Sequence, residues 1–231
     1  SRPVRDLALY DYDGDGTDDF VVVTDAALSD THGVELFVFS GVDGSELWAS
    51  DIFDDGASAQ RVLVVPGTGG DAGFVAVDNT RLHAFDAATG QATWTLAATN
   101  DGAVYIPIGA AGPEIAVMSE DGALSFYDAA TRAYLRGFPF DAPTCDVVAL
   151  GGDVRTLLVA SGDALIAFNG KSGEARATAG DLGACVASNT RIATRDEPGS
   201  SHAIALGTSS VLVRERLGAP DAIFADSFDP H

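Results

Sequence analysis

The residues best suited to chemistry lie near the start of the chain, in the run Asp11-Tyr12-Asp13-Gly14-Asp15-Gly16-Thr17-Asp18-Asp19. Carboxylates stand at loop positions 1, 3, 5 and 9, and position 7 is Thr17, whose main-chain carbonyl is a fifth oxygen donor. Glycines between them permit a tight curl. An oxygen cage of this size and hardness suits Ca²⁺, whereas Mg²⁺ demands a stricter octahedron and keeps its waters. Five carboxylates in nine residues repel one another, because each charge raises the cost of ionising the next. A bound cation removes that cost. The expected ligands are Asp11, Asp13, Asp15 and Asp19 through side chains and Thr17 through its carbonyl, with Asp18 facing solvent. The expected role of the ion is structural, tying together the two strands that flank the loop. Two other acidic, glycine-containing stretches, at 67–73 and 119–123, are too sparse to repeat the motif.

The elements that position this loop follow from an internal repeat. LFVFSGVDGSELW, LHAFDAATGQATW, LSFYDAATRAYLR and LIAFNGKSGEARA begin at residues 36, 82, 124 and 165. Each is an apolar run ending in an aromatic, then a polar turn, then a second short run, which is the pattern of an antiparallel hairpin. Helical periodicity is nearly absent, and short β-branched runs are bounded throughout by Gly, Asp, Asn and Ser. A strand-built period of about 40 to 50 residues marks a β-propeller, whose blades bury their faces only against neighbouring blades. The expectation is an all-β chain with five four-stranded blades at about 1–55, 56–100, 101–140, 141–180 and 181–225 and a short tail at 221–231. Six blades, or a ring finished by another segment, fit the same spacing. Asp-Gly at 43–44, Thr-Gly at 89–90 and Ser-Gly at 172–173 supply turn chemistry, and Arg132 stands where the other hairpins have Gly44, Gly90 and Gly173. That turn therefore either strains against a positive φ or has another shape. Trp48 and Trp94 occupy equivalent positions at hairpin ends, with Arg136 and Ala177 as counterparts. Tryptophans there are expected to wedge between blades rather than stack on a ligand.

Two resemblances sharpen this reading. LHAFDAATGQATW resembles the blade hairpin of the quinoprotein-like (PQQ-type) propeller repeat, in which an apolar strand ends in Asp-Ala-x-Thr-Gly and a Trp follows. The likeness extends over about four fifths of the chain and fades at Val211 to Arg214; it implies a fold more than an activity. The aspartate loop is not an EF-hand, because position 12 would need a bidentate Glu and is Val22. It resembles instead the FG-GAP (integrin α-type) propeller calcium loop, D-x-D-G-D-G-x-x-D followed by an apolar strand. That likeness implies the same ligand set, Asp11, Asp13, Asp15, Thr17 and Asp19. The segment Asp221-Ala-Ile-Phe-Ala-Asp-Ser-Phe-Asp229 resembles a short C-terminal tail (IFADGFE-like) of secreted gammaproteobacterial proteins, with Ser227 in place of Gly. The same segment also reads as the outer strand of the last blade.

Composition bounds the partners. Lys and Arg number 13 against 34 Asp and Glu, a formal charge of −21, so phosphate backbones and anionic lipid are repelled. Nucleic acid and membrane insertion are not expected, and no apolar run reaches the roughly 20 residues of a membrane helix. The chain starts at Ser1 without Met, as a mature or excised piece of a longer multidomain protein would. Cys145 and Cys185 both precede short apolar runs about one repeat apart. They fit either a disulfide between adjacent blades, worth about 4 kcal/mol in the loop-entropy model, or two buried thiols. A disulfide would point to an oxidising compartment.

His32, His83, His202 and His231 stand singly, with no spacing that suggests zinc or an acid–base pair. There is no nucleophile elbow, phosphate loop or dinucleotide turn. The expected function is a secreted, periplasmic or surface-exposed bacterial binding or adhesion module, non-enzymatic and calcium-stabilised, for a protein or glycan ligand. A sugar-binding propeller would need equivalent Trp, Asn or Asp in each blade, and a quinone-dependent or hydrolytic enzyme a central cluster of titratable groups.

Overall fold

The computed structural model describes residues 3–28, 31–53, 56–66, 72–97, 102–119, 121–150, 153–179, 191–197, 200–206 and 212–217. The chain divides into two compact units, Ser1–Asn100 and Asp101–His231. In the first unit β1 (Val4–Tyr10), β2 (Asp19–Leu28), β3 (Thr31–Phe39) and β4 (Glu46–Ala49) form one antiparallel sheet in chain order. β5 (Ala59–Pro66), β6 (Ala72–Asp78), β7 (Arg81–Asp86) and β8 (Ala92–Ala97) form the next. Period-2 alternation sends Val21, Val23, Leu36 and Val38 to one face of the first sheet, where they meet Val62, Phe74, Ala76 and Phe85 of the second. Two carboxylates fasten these blades as well: Asp6 accepts the main-chain N–H of Val62 at 3.1 Å and Asp25 that of Ala59 at 2.8 Å.

The second unit continues the pattern. β9 (Gly102–Ile106), β10 (Glu114–Met118), β11 (Ala123–Asp128) and β12 (Tyr134–Pro139) make a third sheet. β13 (Thr144–Ala149), β14 (Leu157–Ser161), β15 (Ala164–Asn169) and β16 (Glu174–Ala179) make a fourth. Ala116, Met118, Leu124 and Phe126 pack against Val147, Val154, Leu157, Val159 and Phe168 between them. Asp146 repeats the fastening of the first unit, accepting the N–H of Ile192 at 2.6 Å. β17 (Arg191–Glu197), β18 (Ser200–Leu206) and β19 (Leu212–Leu217) form a fifth sheet of three strands.

The expectation of five four-stranded blades is therefore corrected: among the described residues four sheets have four strands and the last has three. The repeat signature also fades here. Arg214, Glu215 and Arg216 occupy the stretch where the other hairpins carry an aromatic ahead of an Asp-x-x-Thr-Gly-like turn. The strand expected at Ala222 to Phe224 lies outside the described residues.

Arg132 adopts φ 62°, beside 74° for Gly44, 67° for Gly90 and 78° for Gly173. Its N–H donates to Asp128 O at 2.8 Å, as Gly90 does to Asp86 O at 2.7 Å and Gly173 to Asn169 O at 2.8 Å. The turn thus keeps the shared shape and accepts the strain of a side chain in the left-handed region.

Candidate metal centre

The aspartate loop leaves β1 at Tyr10 and enters β2 at Asp19, and its curl is held by its own carboxylates. Asp11 accepts the N–H groups of Gly14 at 2.9 Å and Gly16 at 3.1 Å, one on each oxygen. Asp13 accepts Asp15 N–H at 3.1 Å, and Asp15 accepts Thr17 N–H at 2.7 Å. Such side-chain turns favour Asp here over Glu, whose longer arm overshoots the neighbouring amide. Gly14 and Gly16 sit at φ 77° and 87°, which brings the carboxylates round to one side. Oxygens of Asp11, Asp13 and Asp15 lie within 4.8 Å of one another. Asp11 is half-buried, Asp13 and Asp15 are exposed, and Asp18 faces solvent as expected.

Asp19 has a different place. It is fully buried, and its two oxygens accept the N–H of Tyr12 at 2.8 Å and of Gly41 at 2.9 Å. The Gly41 bond first, then those of the loop amides, hold its carboxyl below the usual carboxylate range against the opposing effect of burial. Gly41 is packed so closely that a Cβ would stand 2.0 Å from Asp18 O. Asp19 thus clasps the loop to the β3–β4 turn, and three of the four expected side-chain ligands converge without it. Thr17 contributes its N–H to the curl. Three converging carboxylates on a preformed loop fit a hard divalent cation in their chemistry. They would hold it by side-chain oxygens, with Asp19 and Gly41 fixing the loop beneath.

Elsewhere the structure pairs groups that looked solitary in sequence. His83, 9 % exposed, places Nε2 3.2 Å from Oδ2 of the fully buried Asp78, and its ring centroid is 4.8 Å from that of Phe53. Asp78 also accepts Thr80 N–H at 2.6 Å and Arg81 N–H at 2.8 Å across the β6–β7 turn. The hairpin register sets His83 opposite Ala76, with Asp78 two residues along β6 on the same face; counting spacings for zinc overlooks this. Glu114, 1 % exposed, receives Arg136 in a fork, Nη1 to Oε1 at 3.1 Å and Nη2 to Oε2 at 2.6 Å. The same guanidinium lies 4.2 Å above the Phe126 ring and donates through Nε to Gly170 O at 2.6 Å. Cys145 in β13 is buried and disulfide-bonded; Cys185 lies outside the described residues, as does His231. His32 is in β3 and His202 in β18.

Residues 34–135 match the family described as outer membrane protein assembly factor BamB, a PQQ-type repeat. Among solved structures, BBS1N in complex with ARL6DN superposes with a TM-score of 0.68 at 11% identity, covering 94% of this chain and 63% of that one. The fold is a β-propeller, and residues 34–135 resemble the PQQ-type repeat. Sqt1 of Saccharomyces cerevisiae gives 0.64 at 12% identity over 91% of this propeller and 59% of its own chain. The WD40 domain of SCAP from fission yeast gives 0.58 at 12%, over 93% and 52%. The propeller thus spans less than two thirds of each of these three chains, and at such identities the likeness concerns fold alone. No curated protein matches the sequence. Among the described residues no helix is long and apolar enough to cross a membrane.

Proposed function

We propose that this propeller is a calcium-stabilised binding module, non-enzymatic, working outside the cytoplasm as part of a longer chain and engaging a protein partner. The observation that carries the calcium reading is the convergence of Asp11, Asp13 and Asp15 within 4.8 Å on a loop clasped by Asp19. Exposed carboxylates at that spacing are electrostatically unfavourable unless a cation joins them, and oxygen donors with this freedom match Ca²⁺ better than Mg²⁺. The partner reading is supported by the architecture, since the solved BBS1N propeller is in complex with ARL6DN, and by the charge of −21, which favours a partner presenting basic residues. The non-enzymatic reading is supported by where the titratable pairs sit. Asp78–His83 and Glu114–Arg136 are buried between strands, where they support packing. Disulfide-bonded Cys145 supports a Cys145–Cys185 bridge and an oxidising compartment.

The deciding experiment is thermal unfolding of the metal-stripped protein with calcium, with magnesium and with excess chelator, alongside isothermal titration. Calcium at a hundredfold over its dissociation constant adds about 2.7 kcal/mol through mass action, and magnesium adds less. Asp13→Asn and Asp15→Asn each abolish the shift while leaving the melt in chelator unchanged. An identical melt in calcium and in chelator removes the metal from this account.

A further inference from the structure

The chain has four asparagines, and one of them, Asn169, is followed by glycine. Packing demands the glycine, and the turn demands a short side-chain oxygen ahead of it. Asn169 takes the place that Asp86 and Asp128 hold in the second and third blades, where Oδ1 receives Thr89 N–H at 2.8 Å and Thr131 N–H at 2.6 Å. In the fourth blade Asn169 Oδ1 accepts Lys171 N–H at 3.0 Å and Ser172 N–H at 3.1 Å. Gly170 stands where those blades have Ala87 and Ala129. A Cβ there would lie 2.7 Å from Cζ of Phe126 and 2.9 Å from Cδ1 of Leu157. The charged junction closes over the same residue, since Arg136 Nε donates to Gly170 O at 2.6 Å. An asparagine before glycine is chemically labile, because without a Cβ the backbone can turn its nitrogen onto the neighbouring side-chain amide.

We propose that Asn169–Gly170 is a site of spontaneous deamidation, held shut by the folded fourth blade and released when the turn between β15 and β16 opens. The Gly170 amide gives its proton to solvent base, and its nitrogen bonds to Cγ of Asn169. Nδ2 leaves as ammonia, so that a succinimide ring is formed. One water then opens the ring. Cleavage at Cγ yields aspartate on an intact main chain; cleavage at the main-chain carbonyl yields isoaspartate, with an extra methylene in the backbone. No electrons are exchanged. Three bonds oppose the first step in the folded state. Gly170 N–H donates to Val154 O at 2.9 Å, which holds the proton that must leave, and the amides of Lys171 and Ser172 hold the side-chain carbonyl. Asn169 is also only 9 % exposed. The two products differ in consequence. Aspartate copies the turns of Asp86 and Asp128, whereas isoaspartate displaces Gly170 from Val154 O and from Arg136 and breaks the pairing of residue 169 with Glu174.

Peptide mapping by mass spectrometry tests this, on the full chain in mildly alkaline buffer with and without urea and on a synthetic peptide of residues 164–177. The mass gain of an amide turned acid appears at Asn169 at least about tenfold more slowly in the folded chain than in the peptide, because the turn must first open. Urea brings the two rates together. Asn169→Ser, which installs the residue the first blade has as Ser40, with Oγ accepting Val42 N–H at 3.1 Å, removes the signal. Of the two products, separated by chromatography, the isoaspartyl form melts below the aspartyl form. Equal rates in folded chain and peptide overturn the gating, absence of the gain in urea overturns the site, and equal melts overturn the coupling to Arg136.

Discussion

The junction between the first two blades and the junction between the third and fourth solve one packing problem with opposite chemistry. In the first, Trp48 lies against the turn of the next blade, so close that a Cβ on Gly90 would stand 2.1 Å from Nε1, and packs with Phe74 and Phe85 at centroid distances of 6.2 Å. In the second, the equivalent position holds Arg136, which bridges Glu114, the Phe126 ring and the carbonyl of Gly170. Phe138 takes over the aromatic task there, covering Gly173 at 2.5 Å from where a Cβ would be. One junction is apolar and tolerant of water loss; the other holds a buried fork whose every donor and acceptor must be matched. The difference teaches that at these two junctions either an indole or a guanidinium can fill this position, and that the charge of Arg136 is accepted because the fold supplies Glu114 as its partner.

The contrast breaks most severely at the charged junction. Arg136→Ala leaves the Glu114 carboxylate buried without its counter-ion, and unfolding in urea should register a loss of about 3–5 kcal/mol. Replacing the pair together, Glu114→Gln with Arg136→Trp, should recover most of this, because the buried charge is removed and the shape of the apolar junction is copied. A double variant as unstable as Arg136→Ala would show that the two junctions are not interchangeable. At the apolar junction Gly90→Ala should lose about 1–3 kcal/mol, from the collision with Trp48 and the left-handed backbone together. Combining it with Trp48→Ala should show non-additivity in the same unfolding assay, since the collision disappears with the indole.

How much of this was legible beforehand can be argued residue by residue. The strands and turns were, because alternation and Gly or Asp punctuation are local signals; the wedge role of Trp48 followed from its repeat position. Convergence of Asp11, Asp13 and Asp15 was legible for the same reason, being confined to one loop. The contact of Asp19 with Gly41 was not legible, since Gly41 lies across a hairpin and no local spacing announces an N–H waiting there. Arg136 went unread as a junction residue, because a guanidinium gains its meaning from Glu114, 22 positions away in sequence.

Hairpin turns in the two units extend the comparison to smaller energies. Arg132 shares its turn shape with Gly90, so Arg132→Gly should stabilise the third blade by about 0.5–1 kcal/mol, the left-handed strain of a side chain less the extra chain entropy of glycine. A melting temperature that does not rise would mean that Arg132 contacts, such as the one its guanidinium makes to Ala130 O, offset the strain.

The smallest effect separates turns that titrate from one that does not. Asp86 is held below the usual carboxylate range chiefly by the Thr89 hydroxyl, and Asp128 chiefly by the Thr131 N–H. Asn169 occupies the equivalent place and accepts Lys171 N–H at 3.0 Å and Ser172 N–H at 3.1 Å with no charge to lose. A carboxyl with a lowered folded value contributes stability that is complete above its unfolded value of about 3.9 and is lost as pH falls through the folded one. Asp128→Asn should therefore flatten the acid limb of the stability curve below about pH 4, while Asn169→Asp steepens it, both read as urea midpoints between neutral and acid pH. If neither substitution changes that slope, the turn carboxylates do not govern acid lability, and the cause would shift to buried carboxylates such as Asp19, whose bonds to Tyr12 and Gly41 clasp the aspartate loop.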